Sequence, residues 1–269
     1  MLVEDSHSLS SYFSRSARQY DRHANLQREI AATLADRFIV GEEPRSILEL
    51  GCGTGFLTRQ LIDRFSNATI DAIDISGEMI RLARHMLPSR RVQWYVADMN
   101  LFQSGQTYDL IASSTALHWG EPLDALIRQV KDQLGPAGKL VVAVMSSGTL
   151  SELHQIRQEV APHKTPAREL PSAGKLAEHV SDARMNVISS TTETYQLTYS
   201  SPAEFLKSLR QTGFTGGPFS HRKADILVRA ELSALQRLYQ QRYATACGGV
   251  YATYKATFLV AEVPPKYKK

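Results

Sequence analysis

The first candidate functional motif in this sequence is a glycine-rich stretch. SILELGCGTGF, residues 46–56, places Gly51, Gly53 and Gly55 directly after a short apolar segment, with Glu49 just before them. Glycines let the backbone turn tightly and approach a ligand closely at the carboxyl end of a strand. A phenylalanine stands where a dinucleotide-binding loop has its third glycine, and a glutamate is unfavourable beside a pyrophosphate. The loop therefore favours a ligand with positive charge over NAD.

Two aspartates extend this pattern. Asp74 ends the stretch DAID about twenty residues after the loop, where an acid can accept hydrogen bonds from ribose hydroxyls. Asp98, in VADM, could accept a hydrogen bond from an adenine amine while the backbone N–H of Met99 meets the ring. Because the carboxyl ends of parallel strands meet at one edge of a sheet, the three acids are expected to surround one nucleoside.

The elements that must position these residues alternate between strand and helix. Short buried stretches and amphipathic ones follow each other from residue 46 to residue 146, which is typical of a doubly wound parallel sheet. The predicted strands are 46–50, 68–76, 92–99, 108–117 and 140–146, and the predicted helices are 56–65, 77–87 and 122–134.

The flanking regions are mostly helical by pattern. We predict helices over 10–38, 150–160, 173–180 and most of 202–245, and further strands over 185–200 and 248–263. The expected organisation is a helical lid over 1–40 and a ligand-binding core over 41–147. The remainder of the sheet then lies within 148–269, with helical cap insertions at about 148–172 and 201–247.

Composition and charge exclude several classes of protein. Cys52 and Cys247 are the two cysteines and lie far apart, which indicates a reducing compartment rather than a disulfide framework. The N-terminus has no apolar core, so we expect neither a secretory signal nor a membrane span, and a cytoplasmic location. A net charge of +4 without a basic stripe of interleaved aromatics predicts no nucleic acid partner. The histidines have no metal-ligand spacing, so no metal is expected.

The motifs LELGCGTGF, DAIDIS, VADM and YDLIASSTALHW together resemble the class I S-adenosylmethionine-dependent methyltransferases over residues 45–146. This resemblance implies a Rossmann-like sheet of seven strands with an antiparallel last strand, and S-adenosyl-L-methionine as the co-substrate. It also implies a role for each motif: the loop holds the methionine part, the second-strand acid the ribose and the third-strand acid the adenine. The cofactor-binding residues are then Glu49, Gly51, Cys52, Gly53, Asp74, Ile75, Asp98, Met99 and Ser114.

The flanks narrow the resemblance. The stretch YFSRSARQYDRHANLQ is similar to the N-terminal pattern of the biotin-pathway malonyl-acyl-carrier-protein O-methyltransferases, as are later cap-like stretches such as EFLKSLRQTGFTG. The matching N-terminal positions are Phe13, Ala17, Tyr20, Asp21, Ala24 and Gln27. The resemblance implies a malonyl-acyl-carrier-protein partner, or malonyl-coenzyme A, and Tyr20 as a lid over the cofactor. It gives no oligomeric state.

The sequence motifs say less about the methyl-acceptor site than about the cofactor site. A free carboxylate is ionised at neutral pH, so its methylation needs positioning rather than a general base. A cation could offset the desolvation of that acid, and the candidates are Arg168, Arg210 and His118. Members of the family usually carry Asn and Gln where this sequence has Ser114 and His118. Methylation of another small carboxylate or hydroxylated metabolite, and a non-catalytic binding subunit, therefore remain open alternatives.

Overall fold

The chain folds around one sheet whose central strands are short and apolar, as burial on both faces requires. The computed structural model describes residues 10, 11, 13, 14, 17, 20–164, 169–212 and 227–265. These residues form a seven-stranded sheet in the order β3-β2-β1-β4-β5-β7-β6. The strands are β1 Ser46–Leu50, β2 Thr69–Asp74, β3 Val92–Val96, β4 Tyr108–Ser114, β5 Leu134–Met145, β6 Asn186–Tyr199 and β7 Val250–Glu262.

Strand direction confirms the predicted fold class. The strands from β3 to β5 pair in parallel, and β7 is antiparallel to both β5 and β6. The sheet is therefore doubly wound and Rossmann-like with an antiparallel last strand. None of the described helices is long and apolar enough to cross a bilayer.

Serine side chains start several of the helices. The helices are α1 Asn25–Thr33, α2 Phe56–Arg64, α3 Gly77–Met86, α4 Leu123–Asp132, α5 Ser151–Val160, α6 Ala173–Asp182, α7 Pro202–Gln211 and α8 Arg229–Arg242. Ser76, Ser172 and Ser201 precede α3, α6 and α7, and each accepts a hydrogen bond from the backbone N–H of the third helical residue. Such a cap contributes about 1 kcal/mol to helix stability.

The helices cover both faces of the sheet. Side chains of α1, α2, α5, α7 and α8 pack into one apolar core, and those of α4 and α6 pack into a second core. Successive side chains of β1 point to opposite faces of the sheet. Ile47 therefore packs in the first core, whereas Leu48 and Leu50 pack in the second. Glu49 shares the face of Ile47, so its carboxyl group lies under the helices that flank the glycine loop.

Two strands end earlier than periodicity predicts, and both ends matter for the site. β3 stops at Val96 because the last backbone bond to β2 runs from the Ala97 N–H to the Asp74 carbonyl, and the chain then turns at Asp98. β4 stops at Ser114 because Thr115 has a φ of 53°. A left-handed residue cannot continue a strand, and a short 3-10 helix, Leu117–Trp119, follows.

Two other boundaries also differ from the prediction. β5 begins at Leu134 rather than at 140, because Leu134 already pairs with Tyr108 of β4. The register then shifts, and regular pairing resumes where Lys139 lies opposite Leu110. The predicted helix over 10–38 bends at Ala24, which has φ −88° and ψ 40° and is fully buried. After the bend, α1 continues into a π-helical turn, Leu34–Phe38.

Candidate functional site

A cleft opens at the carboxyl ends of the central strands, where a doubly wound sheet places its ligands. It encloses about 990 Å³ of empty space that is open to solvent. The lining comes from the loops after β1 to β4 and from the N-terminal segment: Phe13, Tyr20, Gly51, Gly53, Ile73, Asp74, Ile75, Met79, Ala97, Asp98, Met99, Asn100, Ser114, Thr115, Ala116, Trp119 and Glu121. Most of the predicted cofactor residues therefore meet in one cleft.

Two glycines of the loop are needed for different reasons. Gly51 has a φ of +69°, and a Cβ there would lie 2.2 Å from the Cβ of Ala116. The backbone of the glycine loop therefore packs directly against the side chain of Ala116, which follows β4. Gly53 has a φ of +55°, and a Cβ there would meet nothing within 4 Å. Gly51 is thus required by packing, whereas Gly53 lines the cleft and leaves open space beside its backbone.

Asp74 holds the loop in place from the neighbouring strand. Its carboxylate accepts hydrogen bonds from the Gly53 N–H at 2.9 Å and from the Ser76 N–H at 2.8 Å. Burial raises the pKa of Asp74 to about 6, although the two backbone donors lower it in part. Cys52 lies beside this loop but is buried and does not line the cleft, and its N–H donates to the Ile73 carbonyl at 2.9 Å.

Glu49 is a buried acid beneath the same loop. It is 2% exposed, and its Oε2 atom makes no hydrogen bond with any described residue. Burial, as the largest effect, and the nearby charge of Asp74 raise the pKa of Glu49 to about 8, while Thr58 lowers it in part. Burial is the main reason that both pKa values are raised, and a cationic ligand beside the loop would favour the ionised form of each acid.

The third acid is fixed by its neighbour. Asp98 Oδ1 accepts hydrogen bonds from the Asn100 backbone N–H at 2.9 Å and from Asn100 Nδ2 at 2.8 Å. Met99 lines the cleft beside them, and its carbonyl accepts from Gln129 Nε2 at 3.0 Å. Sequence reasoning missed Asn100, although a polar residue two positions after an aspartate is a known signal for such a side-chain turn.

The N-terminal segment closes one side of the cleft. Ser10 Oγ donates to the Ile75 carbonyl at 3.1 Å, and the hydroxyls of Ser14 and Ser76 are 2.8 Å apart. Thr54 Oγ1 donates to Asp21 Oδ1 at 2.5 Å. These three contacts join the segment to the end of β2 and to the glycine loop.

Aromatic rings form the walls on that side. Tyr20 lines the cleft and stacks on Phe56 with ring centroids 6.1 Å apart, and the Arg28 guanidinium lies 4.7 Å from the centre of the Phe56 ring. Across the cleft, Phe13 meets Trp119 edge to face at 5.6 Å. Burial, with the charges of Asp74 and Asp21, raises the pKa of Tyr20 well above its usual value, so the phenol stays protonated. Sequence reasoning did not place Trp119 or Glu121 in the site.

The predicted acceptor residues are only partly brought together. Ser114 lines the cleft, and its buried Oγ makes no hydrogen bond with the described residues. His118 is 2% exposed, packs 5.4 Å from the ring of Trp119 and is not part of the lining. Arg210 is exposed on α7, outside the cleft, and Arg168 falls outside the described residues. Among the residues whose structure is described, no Lys, Arg or His lines the cleft.

No group of three or more His, Cys, Asp or Glu side chains in the described part of the chain could hold a metal ion. The site's chemistry is instead that of a charged nucleoside site. Gly53 offers open space beside its backbone, and Asp74 and Asp98 line the cleft with carboxyl groups. Glu49 does not line the cleft and lies buried beneath the loop. These groups fit the positively charged sulfur and the adenosine of S-adenosylmethionine.

Comparisons with known proteins point the same way. A family model described as a methyltransferase domain matches residues 47–138. A malonyl-acyl-carrier-protein O-methyltransferase from Bacillus anthracis is 30% identical over 260 residues, which are 93% of this chain and 95% of that protein. One of the same name from Acetivibrio thermocellus is 29% identical over 268 residues, 94% of this chain and 92% of that protein.

A solved structure shares the fold at low sequence identity. A protein from Bacillus halodurans, described as a methyltransferase, matches with a TM-score of 0.62 and 10% identity. The match covers 88% of this chain and 99% of that chain. At this identity the likeness concerns the architecture alone.

Proposed function

We propose that this chain, which belongs to the family of malonyl-acyl-carrier-protein O-methyltransferases, transfers a methyl group from S-adenosylmethionine to the free carboxyl group of malonyl-acyl-carrier-protein. Membership of the family makes the chain an S-adenosylmethionine-dependent methyltransferase, rather than a dehydrogenase or a non-catalytic binding subunit. The observation that supports the cofactor most strongly is the buried, unbonded Oε2 of Glu49 beneath a glycine loop that Asp74 anchors.

S-adenosylmethionine, when bound, supplies a methyl group activated by a positively charged sulfur. Glu49 and Asp74 would balance that charge and the charge of the amino group, with Asp74 and Ile75 beside the ribose. Asp98 and Met99 would hold the adenine from the end of β3. Gly53 lets the backbone come close to the ligand because no side chain intervenes.

The chain's task at the acceptor is positioning. A malonyl carboxylate is already ionised at neutral pH, so its oxygen needs to be aligned with the methyl group and shielded from water. Phe13, Tyr20 and Trp119 line the cleft with aromatic rings, which would shield a bound acceptor from water. Good alignment of the reactants can lower a barrier by roughly 7–11 kcal/mol.

The group that binds the acceptor carboxylate remains a prediction. Arg168 and Arg210 are the candidates, with His118 as a third, and the cleft itself has no described cation. The Ser114 hydroxyl, which lines the cleft without a described partner, could donate a hydrogen bond to an acceptor oxygen. The family usually has an asparagine at this position, so the serine leaves open the alternative that the methyl acceptor is a different small carboxylate or a hydroxylated metabolite.

The partner and the compartment follow from the same proposal. Methylation of the malonyl carboxyl would disguise its charge from chain-elongating enzymes, as expected for biotin precursor synthesis. Acyl carrier proteins are acidic, and the net charge of +4 suits an acidic partner. Cys52 and Cys247 are both free thiols, which suits a cytoplasmic location.

Methyl transfer from labelled S-adenosylmethionine tests the proposal. The acceptors are malonyl-acyl-carrier-protein and malonyl-coenzyme A, with acetyl-acyl-carrier-protein as the control that lacks a free carboxyl. We expect a base-labile methyl ester on the malonyl acceptors alone. Label on the acetyl control, or no transfer by protein that binds S-adenosylhomocysteine, would contradict the assigned acceptor and leave the methyltransferase family intact.

A further inference from the structure

Asn100 connects two parts of the cleft that carry different functions. Its Nδ2 donates to Asp98 Oδ1 at 2.8 Å, and its Oδ1 accepts from the Glu121 backbone N–H at 3.0 Å. The carboxylate can only accept and the backbone N–H can only donate, so these two partners determine which way the amide faces. Asn100 therefore links the end of β3 to the loop that follows the 3-10 helix.

The bond to Asp98 limits what that acid can recognise. Oδ1 already receives two N–H donors from Asn100, whereas Oδ2 receives none from the described residues, and Asp98 lines the cleft. The carboxylate thus presents one acceptor oxygen whose direction is set by the asparagine. An acceptor in that position attracts an amine and repels a carbonyl oxygen.

We infer that Asn100 is a positioning residue which, through Asp98, makes the site prefer adenine over hypoxanthine. The inference rests on the proposed S-adenosylmethionine site. Hypoxanthine has a carbonyl where adenine has its exocyclic amine, so a fixed carboxylate distinguishes the two bases. Without the side chain of Asn100, Asp98 keeps only the backbone donor of its turn, so its carboxylate is less firmly oriented and the distinction weakens. The Asn100 backbone N–H still donates in any substituted chain, so the turn itself is retained.

The test compares the binding of S-adenosylhomocysteine and S-inosylhomocysteine to the full-length protein by calorimetry. Quenching of Trp119 fluorescence gives a second readout, because that residue lines the cleft. We expect Asn100→Ala to weaken binding of S-adenosylhomocysteine by about tenfold, because Asp98 loses a hydrogen bond to its charged carboxylate and orients that group less firmly towards the adenine amine. S-inosylhomocysteine should change by less than about twofold, so the base preference falls.

Two further variants separate positioning from a structural role. Gln129→Ala removes a side chain that holds the same turn through the carbonyls of Met99 and Phe102, without contacting Asp98. It should keep the base preference. Asn100→Asp can still accept from Glu121 but cannot donate to Asp98, so it should lose the preference as Asn100→Ala does.

The outcomes distinguish this inference from the proposed function. Three results would each overturn the role of Asn100. Asn100→Ala could weaken the binding of both ligands equally, Gln129→Ala could lose the base preference as well, or Asn100→Asp could keep it. Failure of the unmodified protein to bind either ligand would instead contradict the cofactor site itself, and the inference with it. A lost preference in both Asn100 variants, with the Gln129 variant unchanged, supports it.

Discussion

Glu49 is the residue whose protonation is expected to report on the cofactor. Its pKa of about 8 in the ligand-free protein means that it is largely protonated at neutral pH. A bound cation lowers that pKa, and each unit of lowering corresponds to about tenfold in affinity. The preference for S-adenosylmethionine over S-adenosylhomocysteine, which lacks the positive sulfur, should therefore rise with pH up to about 8 and level off above it, because Glu49 is then already ionised in the free protein.

Glu49→Gln should abolish this pH dependence. The variant cannot ionise, so its preference for the charged cofactor is expected to stay flat between pH 6 and pH 9, as titration calorimetry in each buffer would reveal. Stability provides an independent check with a defined sign. The folded protein holds this proton more tightly than the unfolded chain, whose Glu pKa is 4.5, so wild-type stability declines between pH 4.5 and about 8. The decline should be smaller in the variant, and an unchanged pH profile of its melting temperature would contradict the assignment.

Gly51 and Gly53 predict opposite outcomes for the same substitution. Gly51→Ala forces a Cβ to within 2.2 Å of Ala116, so we expect loss of the folded protein or a large drop in its unfolding free energy. Gly53→Ala costs only the left-handed backbone strain, about 1–2 kcal/mol, because no atom lies within 4 Å of the new Cβ. That variant should fold but bind S-adenosylhomocysteine more weakly, since the methyl group enters the cleft. Denaturant unfolding and calorimetry measure both effects, and similar stability losses in the two variants would refute the distinction.

At the scale of elements, the described residues of the N-terminal segment contact the core through hydrogen bonds and aromatic rings. The hydrogen bond from Thr54 to Asp21 joins it to the glycine loop, and Thr54 is 2% exposed. Asp21→Ala leaves that hydroxyl without its acceptor, which costs roughly 1–3 kcal/mol of local stability. We expect faster chymotrypsin cleavage near Phe13 and Tyr20, and slower cleavage once S-adenosylhomocysteine is added.

Arg22→Ala is the matched control for this experiment. Arg22 is the next residue along the chain and is exposed, so its removal should leave the cleavage rate unchanged. Equal cleavage of Asp21→Ala and wild-type protein would mean that the segment is held by its aromatic contacts instead, namely Tyr20 on Phe56 and Phe13 on Trp119.

At the scale of the whole molecule, charge should govern the encounter with the carrier protein. Two adjacent arginines, Arg90 and Arg91, are a candidate basic contact for the carrier protein. The Arg91 guanidinium is already engaged, because it donates to the carbonyls of Ile62, Phe65 and Ala68. Docking would then depend on the distributed net charge of +4, and attraction between exposed charges is screened by salt. Raising the salt concentration from 50 to 500 mM shortens the Debye length by about threefold. Over this range we expect KM for malonyl-acyl-carrier-protein to rise several-fold while kcat stays constant.

A small acceptor supplies the control for the salt series. Malonyl-N-acetylcysteamine has the reacting carboxylate but no protein partner, so its KM should change much less. Parallel changes in the two KM values would place the salt effect in the cleft rather than at a docking surface.

The fold was predictable where apolar periodicity alone determines an element. β1, β2, β7 and the core helices agree with their predicted positions to within a few residues, because each buries a regular set of side chains. β6 agrees as well, and its half-buried side chains mostly alternate with exposed ones. Periodicity could not give the ends of β3 and β4. Those ends depend on the side-chain turn at Asp98 and on the left-handed Thr115, which are local departures from a continuing apolar pattern.

The candidate site was predictable on the cofactor side for a related reason. Glycines and acids at strand ends meet wherever a parallel sheet forms, so Gly53, Asp74 and Asp98 could be placed without coordinates. The contact between Phe13 and Trp119 joins residues far apart in the chain, and no local pattern encodes it. Arg210 has a charge suited to the acceptor, but periodicity does not say which charged residue faces the cleft.

The pairing of the last two strands has a consequence for how this architecture can diversify. Tyr199, the final residue of β6, lies directly opposite Val250, the first residue of β7. The chain thus leaves and re-enters the sheet at one point, and everything from residue 200 to residue 249 is spliced into what is otherwise a hairpin. Such a segment can be exchanged for another of different length or chemistry while the glycine loop, far away in the strand order, keeps its register.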